Sequence, residues 1–321
     1  MGGLLPTLVD IRQARVRIAG TAIRTPLVRL NVADAPTEIW LKLENLQPIG
    51  SFKIRGAANA MAQIPREQLS RGVLTASAGN MAQGVAWCAS EKGVPCTVIA
   101  PDTAPTTKIQ AIERFGGRVI QVPFERWWQT FQDRAYPGVE ATFIHAFDDL
   151  GVMAGNGTIG LEILEDLPDV DAIVIPWGGG GLACGIASAV RALKPACRIL
   201  TAEVATAAPL AAAFAAESAQ VVDYQPSFVD GIGSKSVFPR MLERAQGLID
   251  GVLVASLNEV GAALALIAER NRVIAEGAGA CPVACALSGQ AGSGRIVCVV
   301  SGGNIDLSSL CAVLRGEVPS P

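Results

Sequence analysis

An α/β fold with largely parallel sheets is what this 321-residue sequence predicts, on three observations. Half of the residues are hydrophobic and 17% are charged, a composition that suits parallel strands covered on both faces. Short apolar segments of strand length alternate with stretches of helical periodicity, the rhythm of successive βα units with right-handed crossovers. Glycine, serine and asparagine stand at several strand-to-helix junctions, and in such sheets sites form at the strand C-termini.

The first element is a helix from about Leu8 to Ile18, stopped near Gly20. A strand follows at Glu38 to Leu43, where Ile39, Leu41 and Leu43 alternate with polar neighbours. Val73-Leu-Thr-Ala then leads into a helix beginning near Asn80, and Cys96-Thr-Val-Ile-Ala into a helix near Thr107 to Phe115. Arg118-Val-Ile-Gln-Val leads to a tryptophan-bearing stretch at Glu125 to Tyr136. In the second half, Asp171-Ala-Ile-Val-Ile-Pro reads as a buried strand opening onto four consecutive glycines, Gly178 to Gly181. Leu182, Ile186, Val190 and Leu193 then recur at helical spacing. Ile199-Leu-Thr-Ala-Glu is the next strand and Arg295-Ile-Val-Cys-Val-Val the last.

Several classes of function are excluded. The formal net charge is −3 and no Lys/Arg cluster is present, so there is no electrostatic footprint for nucleic acid or an anionic membrane. The N-terminal stretch lacks a basic n-region, Asp10 and Arg12 interrupt it, and no apolar run reaches the length of a membrane span. A cytoplasmic protein is expected. The eight cysteines are scattered through apolar stretches and read as small reduced core residues. Cys281 and Cys285 are the only closely spaced pair, and with His145 the single histidine no metal site is expected.

Four elements carry the chemistry. Lys53 lies in the run Lys42-Leu-Glu-Asn-Leu-Gln-Pro-Ile-Gly-Ser-Phe-Lys53-Ile-Arg-Gly-Ala57. Most lysines are solvated surface charges, but this one follows a strand and a Pro-Ile-Gly turn, stands beside Phe52 and precedes a helix. A lysine that condenses with a carbonyl group must be partly desolvated, or its amine stays locked as ammonium. The four glycines lack Cβ atoms, so their N–H groups can close around a phosphate at a helix N-terminus. A mononucleotide phosphate fits that loop equally well, although the Walker pattern is absent. Ser77-Ala-Gly-Asn80 reads as an ordinary Asn N-cap or as a binding turn, and both can hold at once. Ser301-Gly-Gly-Asn304 supplies a late hydroxyl, or is a simple strand-end turn.

Together these elements resemble the threonine/serine dehydratase branch of the fold type II (tryptophan synthase β-like) pyridoxal phosphate (PLP) enzymes, from about Thr25 to Asp306. The resemblance implies two domains, each with a mostly parallel sheet flanked by helices. Residues 1–47 and 147–321 form the large PLP-binding domain, with a small domain inserted at 48–146. PLP is the implied cofactor, linked to Lys53, which also removes the substrate Cα proton. Phe52 packs against the cofactor ring, and Asn80 hydrogen-bonds its phenolic oxygen. Gly178, Gly179, Gly180, Gly181 and Leu182 bind it through the glycine loop. Ser301 faces the pyridine nitrogen, and a neutral hydroxyl there makes the ring a weaker electron sink, which suits elimination of a β-leaving group. Ser77, Ala78, Gly79 and Asn80 receive the substrate carboxylate. The implied partners are a small-molecule amino acid and further copies of the chain, as a homodimer or homotetramer.

The implied reaction is dehydration of a β-hydroxy amino acid, with L-threonine or L-serine as default, to a 2-oxo acid and ammonia. The chain stops soon after Asp306, without the regulatory domain of feedback-inhibited relatives, so a catabolic-type enzyme is expected. Position 78 is Ala where serine racemases of this kind carry a serine as second base, which sets racemization behind dehydration. Position 81 is Met where the family usually has His, a change beside the cofactor turn that points to a different substrate preference. Positions 146 and 156 usually read Pro and Gln. Glu203 ends a strand where relatives begin a cation site, but Pro209 stands where some supply a carboxylate. Glu276 is expected near the cofactor without an assigned role, and His145 as a structural loop residue. The rival readings are a β-hydroxy amino acid racemase, a β-replacement enzyme of the cysteine synthase type, and a non-catalytic PLP-binding homologue.

Overall fold

The structure, a computed structural model, describes residues 4–320. Strands β1 (Leu27–Arg29) and β2 (Glu38–Leu43) open a larger sheet. A smaller sheet then forms from β3 (Val73–Ala76), β4 (Cys96–Pro101), β5 (Arg118–Val122) and β6 (Thr142–Phe143). The chain returns to the larger sheet with β7 (Ala172–Pro176), β8 (Arg198–Val204), β9 (Gly251–Ala255) and β10 (Arg295–Val300). Their order is β1-β2-β10-β7-β8-β9 in the larger sheet and β5-β4-β3-β6 in the smaller. Only the β1–β2 pair is antiparallel.

The central strands are apolar at nearly every position because both of their faces are covered. In β10, Ile296, Cys298 and Val300 enter one core cluster while Val297 and Val299 enter the other. β7 divides in the same way, with Ala172 and Val174 on one side and Ile173 and Ile175 on the other. The helix Gly277–Leu287 supplies the first cluster, and the helices Leu150–Asp166 and Gly181–Leu193 supply the second. Two glycines let the helices approach closely: a Cβ on Gly155 would lie 2.3 Å from the Arg55 carbonyl oxygen, and one on Gly185 2.3 Å from that of Met153.

Beneath the helix Lys53–Ala62 lies a charge-balanced cluster of two cations and two anions. Arg55 donates to Glu44 at 2.8 and 2.9 Å and to Glu162 at 2.6 and 2.9 Å. Lys42 donates to Glu162 at 2.6 Å and to the Thr25 carbonyl at 2.7 Å. Lys42 and Glu44 are fully buried, and Arg55 is 1% and Glu162 5% exposed. Burial alone pushes Glu44 upward, but Arg55, a Thr25 hydroxyl bond and Lys42 outweigh it and hold the carboxyl below the usual range. Its stabilising contribution is therefore present above the ordinary carboxylate range and is lost as pH falls through its folded value.

Every expected strand is present, β2, β3, β5 and β10 with the expected limits. β1, β6 and β9 are further strands, of three, two and five residues. Between β8 and β10 the chain forms the helices Pro209–Ala216, Pro239–Gln246, Leu257–Asn271 and Gly277–Leu287, which the periodicity leaves unassigned. The last is buried along its length and so shows little contrast between faces. Among the described residues no helix is long and apolar enough to cross a membrane.

Removing one member of a buried ion cluster leaves the others uncompensated. Arg55→Ala is expected to cost about 3–5 kcal/mol, read as a lower urea midpoint at unchanged m-value.

Candidate active site

The C-terminal ends of β3, β7 and β10 converge on the turn that follows β2. The Phe52 N–H donates to the Ser301 carbonyl at 3.0 Å and the Gly303 N–H to that of Gly50 at 2.9 Å. With the Ser51–Gly302 bridge these contacts fasten the segment before Lys53 to the turn after β10. Lys53 opens its helix and donates its amine to the Ala146 carbonyl at 2.8 Å, with Nζ 5.2 Å from the Phe52 ring centroid. Burial pulls the amine down to about 8, against an opposing pull from Glu276. Phe52 itself is 9% exposed, in the same apolar cluster as Trp177 and Leu182.

The glycine loop has the geometry of an anion cradle. Gly180 is in the left-handed region at φ 85°, the N-cap position of the helix Gly181–Leu193. A Cβ there would lie 2.4 Å from the Trp177 ring, and one on Gly179 2.0 Å from the Phe147 ring. Among the described residues, the backbone N–H groups from Gly178 to Ala183 have no protein acceptor. Such a row of unpaired donors at a helix N-terminus is what an anion satisfies. Two buried polar atoms beside the site, Ser51 Oγ and Trp177 Nε1, also lack protein partners. Asn156, where the family usually has Gln, donates to the Gly181 carbonyl at 3.3 Å while its Oδ1 is unpartnered.

Ser77, Ala78, Gly79 and Asn80 form a partly exposed turn after β3. The expectation of an Asn N-cap is corrected: Gly79 holds the cap position, and Asn80 is the first residue of the helix Asn80–Glu91. The Asn80 side chain is engaged across the cleft, donating to Glu276 at 2.9 and 3.1 Å and accepting from Asn304 Nδ2 at 2.8 Å. Ser77 Oγ accepts from the Gly79 N–H at 3.2 Å. Met81 is 2% exposed in the core of the smaller sheet, with Ile49, Ile54 and Val85 in the same cluster. Ser301 is 2% exposed, one residue beyond β10.

Other singled-out residues lie outside this constellation. His145 Nδ1 accepts from the Phe147 and Asp148 N–H groups, and its ring packs among Phe131, Phe143 and Phe147. Burial, reinforced by Arg134, pulls it down to about 3, so the imidazole stays neutral and holds the loop that carries Ala146. Glu203 is fully buried and accepts from the Leu210 and Ala211 N–H groups at 2.9 and 2.8 Å. Desolvation pushes it up to about 7. Cys281 and Cys285 are buried in the core of the larger sheet.

A desolvated lysine amine, an anion cradle, a second N–H-bearing turn and a buried serine around one cleft define a site for an aldehyde cofactor that carries a phosphate. The residues present fit PLP. The chain belongs to the pyridoxal-phosphate dependent enzyme family, whose profile matches residues 18–302. It is 38% identical over 321 residues to a Thermotoga maritima protein named L-threonine ammonia-lyase, covering 98% of this chain and 80% of that one. Its fold matches that of maize serine racemase with a TM-score of 0.89 at 32% identity, covering 97% of both chains. A T.th. threonine deaminase matches with a TM-score of 0.86 at 32% identity, covering 94% of this chain and 99% of that one. The fold type II expectation and the cofactor are thereby established.

Sequence reasoning gave no part to Ser51, Ala146 or Phe147, and no partner to Glu276. Ala146 acts through its carbonyl, which no side-chain motif announces. The other contacts join segments far apart in the chain.

Two outcomes are expected. Gly180→Ala forces a Cβ into the Trp177 ring and an unfavourable φ, so retention of PLP should fall on the order of tenfold or more by absorbance, with far-UV dichroism unchanged. In cofactor-free protein, the rate at which Lys53 captures PLP should rise through a pH of about 8 and vanish in Lys53→Ala. A rise only near the ordinary value of 10.5 would mean a solvated amine. Between those two values the unfolded chain binds more protons than the folded one, so this lysine's contribution to stability grows with rising pH.

Proposed function

We propose that the protein is a PLP-dependent ammonia-lyase of the threonine/serine dehydratase type, converting L-threonine or L-serine to a 2-oxo acid and ammonia. The observation that carries this reading is the 38% identity, across nearly the whole chain, to a protein named L-threonine ammonia-lyase. The cofactor residues on this reading are Phe52, Lys53, Asn80, Gly178 to Gly181, Leu182 and Ser301. The substrate carboxylate is held at Ser77 to Asn80.

Bound PLP supplies the electron sink for the pair released at Cα. Lys53, part of it unprotonated near neutral pH, takes the Cα proton. The turn at Ser77 to Asn80 presents backbone N–H groups at a helix start, where a carboxylate is favoured by the helix dipole. The Cα proton and the β-hydroxyl leave as water. The released enamine tautomerises to an imine, whose hydrolysis consumes one water and yields the 2-oxo acid and ammonia.

The second reading is racemization, favoured by the match to maize serine racemase. It requires an acid/base group opposite Lys53. Position 78 offers only a methyl group, which supports dehydration over racemization. We also place the protein in the cytoplasm, as a homodimer or homotetramer. Eight free thiols, seven of them buried, support the former, and the exposed Leu46, Ile274 and Leu307 support the latter. A domain division into 1–47 with 147–321, and 48–146, is supported by confinement of the smaller sheet to residues 73–143.

The test is release of 2-oxo acid and ammonia by the PLP-loaded enzyme from L-threonine, L-serine, 3-hydroxyaspartate, phenylserine and O-acetylserine, with chiral analysis of the remaining substrate. L-threonine or L-serine should be consumed without formation of D-isomer, and Lys53→Ala should be inert. Accumulation of D-serine, or silence across the panel, would overturn the proposal.

A further inference from the structure

Glu276 occupies the N-cap of the helix Gly277–Leu287, yet its carboxylate does not cap that helix. It reaches the cleft instead, and glycines flank its path. A Cβ on Gly302 would lie 2.5 Å from Glu276 Oε1, so no larger residue at 302 leaves room for the carboxylate. Gly231 keeps a second flank open, its Cβ position lying 3.6 Å from the same oxygen. Both Glu276 oxygens accept from Asn80 Nδ2, while Asn304 Nδ2 donates to Asn80 Oδ1 and to the Ile49 carbonyl at 2.9 Å.

We propose that Glu276 is a positioning residue of this site, fixing the orientation of the Asn80 carboxamide and supplying negative charge to the Lys53 amine. The inference rests on the reading of Lys53 and Asn80 given above, but not on the identity of the substrate. Turning the Asn80 amide over would set its oxygen against the carboxylate and its NH2 against that of Asn304, replacing the hydrogen bonds to both by repulsive contacts. In the observed orientation Nδ2 faces both Glu276 oxygens and Oδ1 faces Asn304.

The groups facing Glu276 come from every element around it. Lys53 lies across the cleft, and the ion pair of Asp230 and Lys108 bridges the large-sheet loop and the helix Thr106–Arg114. The Asn304 backbone N–H also points to the carboxyl. Desolvation first, and then Asp230, push Glu276 up to about 7, against Asn80, Lys108 and the Asn304 N–H. The carboxyl therefore gains its proton just below neutrality, and its charge on Lys53 is present above that pH and lost below it.

The experiment compares holoenzyme with Glu276→Gln, Glu276→Ala, Asn80→Ala and the double alanine variant. Glu276→Gln keeps an acceptor for Asn80 but removes the charge. Without substrate, the pH midpoint of the cofactor absorbance should fall by about one unit in both Glu276 variants, because the cationic form loses its negative neighbour. PLP affinity should stay within about threefold in Glu276→Gln and fall about tenfold or more in Glu276→Ala. In PLP affinity the double variant should be no worse than Asn80→Ala, since the orienting role of Glu276 acts only through Asn80. An unmoved midpoint in both Glu276 variants, or additive losses in the double variant, would overturn the assignment and leave Glu276 a helix-terminal residue. If Glu276→Ala does not fold, the midpoint in Glu276→Gln decides alone. A lowered midpoint with no turnover of any hydroxy amino acid would uphold the assignment while removing the dehydratase reading.

Discussion

The interaction on which the rest of the structure depends is the buried contact of Arg55 with Glu44 and Glu162. Arg55 lies two residues beyond Lys53 on the same helix, Glu44 just past the end of β2, and Glu162 on the helix that packs between the sheets. A guanidinium with both carboxylates bidentate fixes direction as well as distance, which a lysine at the same place would not. The helix that begins at Lys53 is thereby held in rotation and depth relative to the larger sheet. Such a cluster adds little net stability over a well-packed apolar core, because both charges must be stripped of water. Its consequence is one permitted geometry for the helix, and the Lys53 amine inherits it.

Desolvation is the second constraint, and it acts in opposite directions on acids and bases. The burial that frees the Lys53 amine of its proton near 8 forces Glu276 to keep its own until about 7. His145 is kept neutral by the same means, and the loop it braces presents the Ala146 carbonyl to Lys53. A polar acceptor in that position stabilises the ammonium, so burial must exceed this effect for any free amine to exist at neutral pH. The site is thus a balance of a few strong terms, and removing any one charge moves the others.

The sheet was legible in the sequence wherever a strand is covered on both faces. Arg295–Val300 was readable because its side chains divide between two cores, and Glu38–Leu43 because Ile39, Leu41 and Leu43 alternate with polar neighbours and enter one core. β6 was not, since two residues give no period, and the helix Gly277–Leu287 was not, since it is apolar all round. Lys53, the glycine loop and Ser301 were legible as local motifs. From the residues alone Asn80 was legible as a turn residue, and its partners were not, because Glu276 and Asn304 stand 196 and 224 positions away. Met81 follows Asn80 in the chain but does not share its direction. On a helix the next residue is rotated by about 100°, and here it faces the core.

That rotation also bears on the choice between elimination and racemization. The positions that can change chemistry are those whose side chains enter the cleft, and they are fewer than the motif is long. Ala78 lies in the turn before the helix begins, partly exposed, whereas Met81 is sealed into the small-sheet core. A change at 81 therefore alters the packing beneath the turn, while a change at 78 alters the turn's exposed surface. The fold matches maize serine racemase and the T.th. threonine deaminase almost equally well, so it does not by itself choose between the two outcomes. On the proposed reading, the methyl group of Ala78 is a functional statement: a carbanion made on the Lys53 side finds no proton donor at that position, and loss of the β-hydroxyl is the exit that remains.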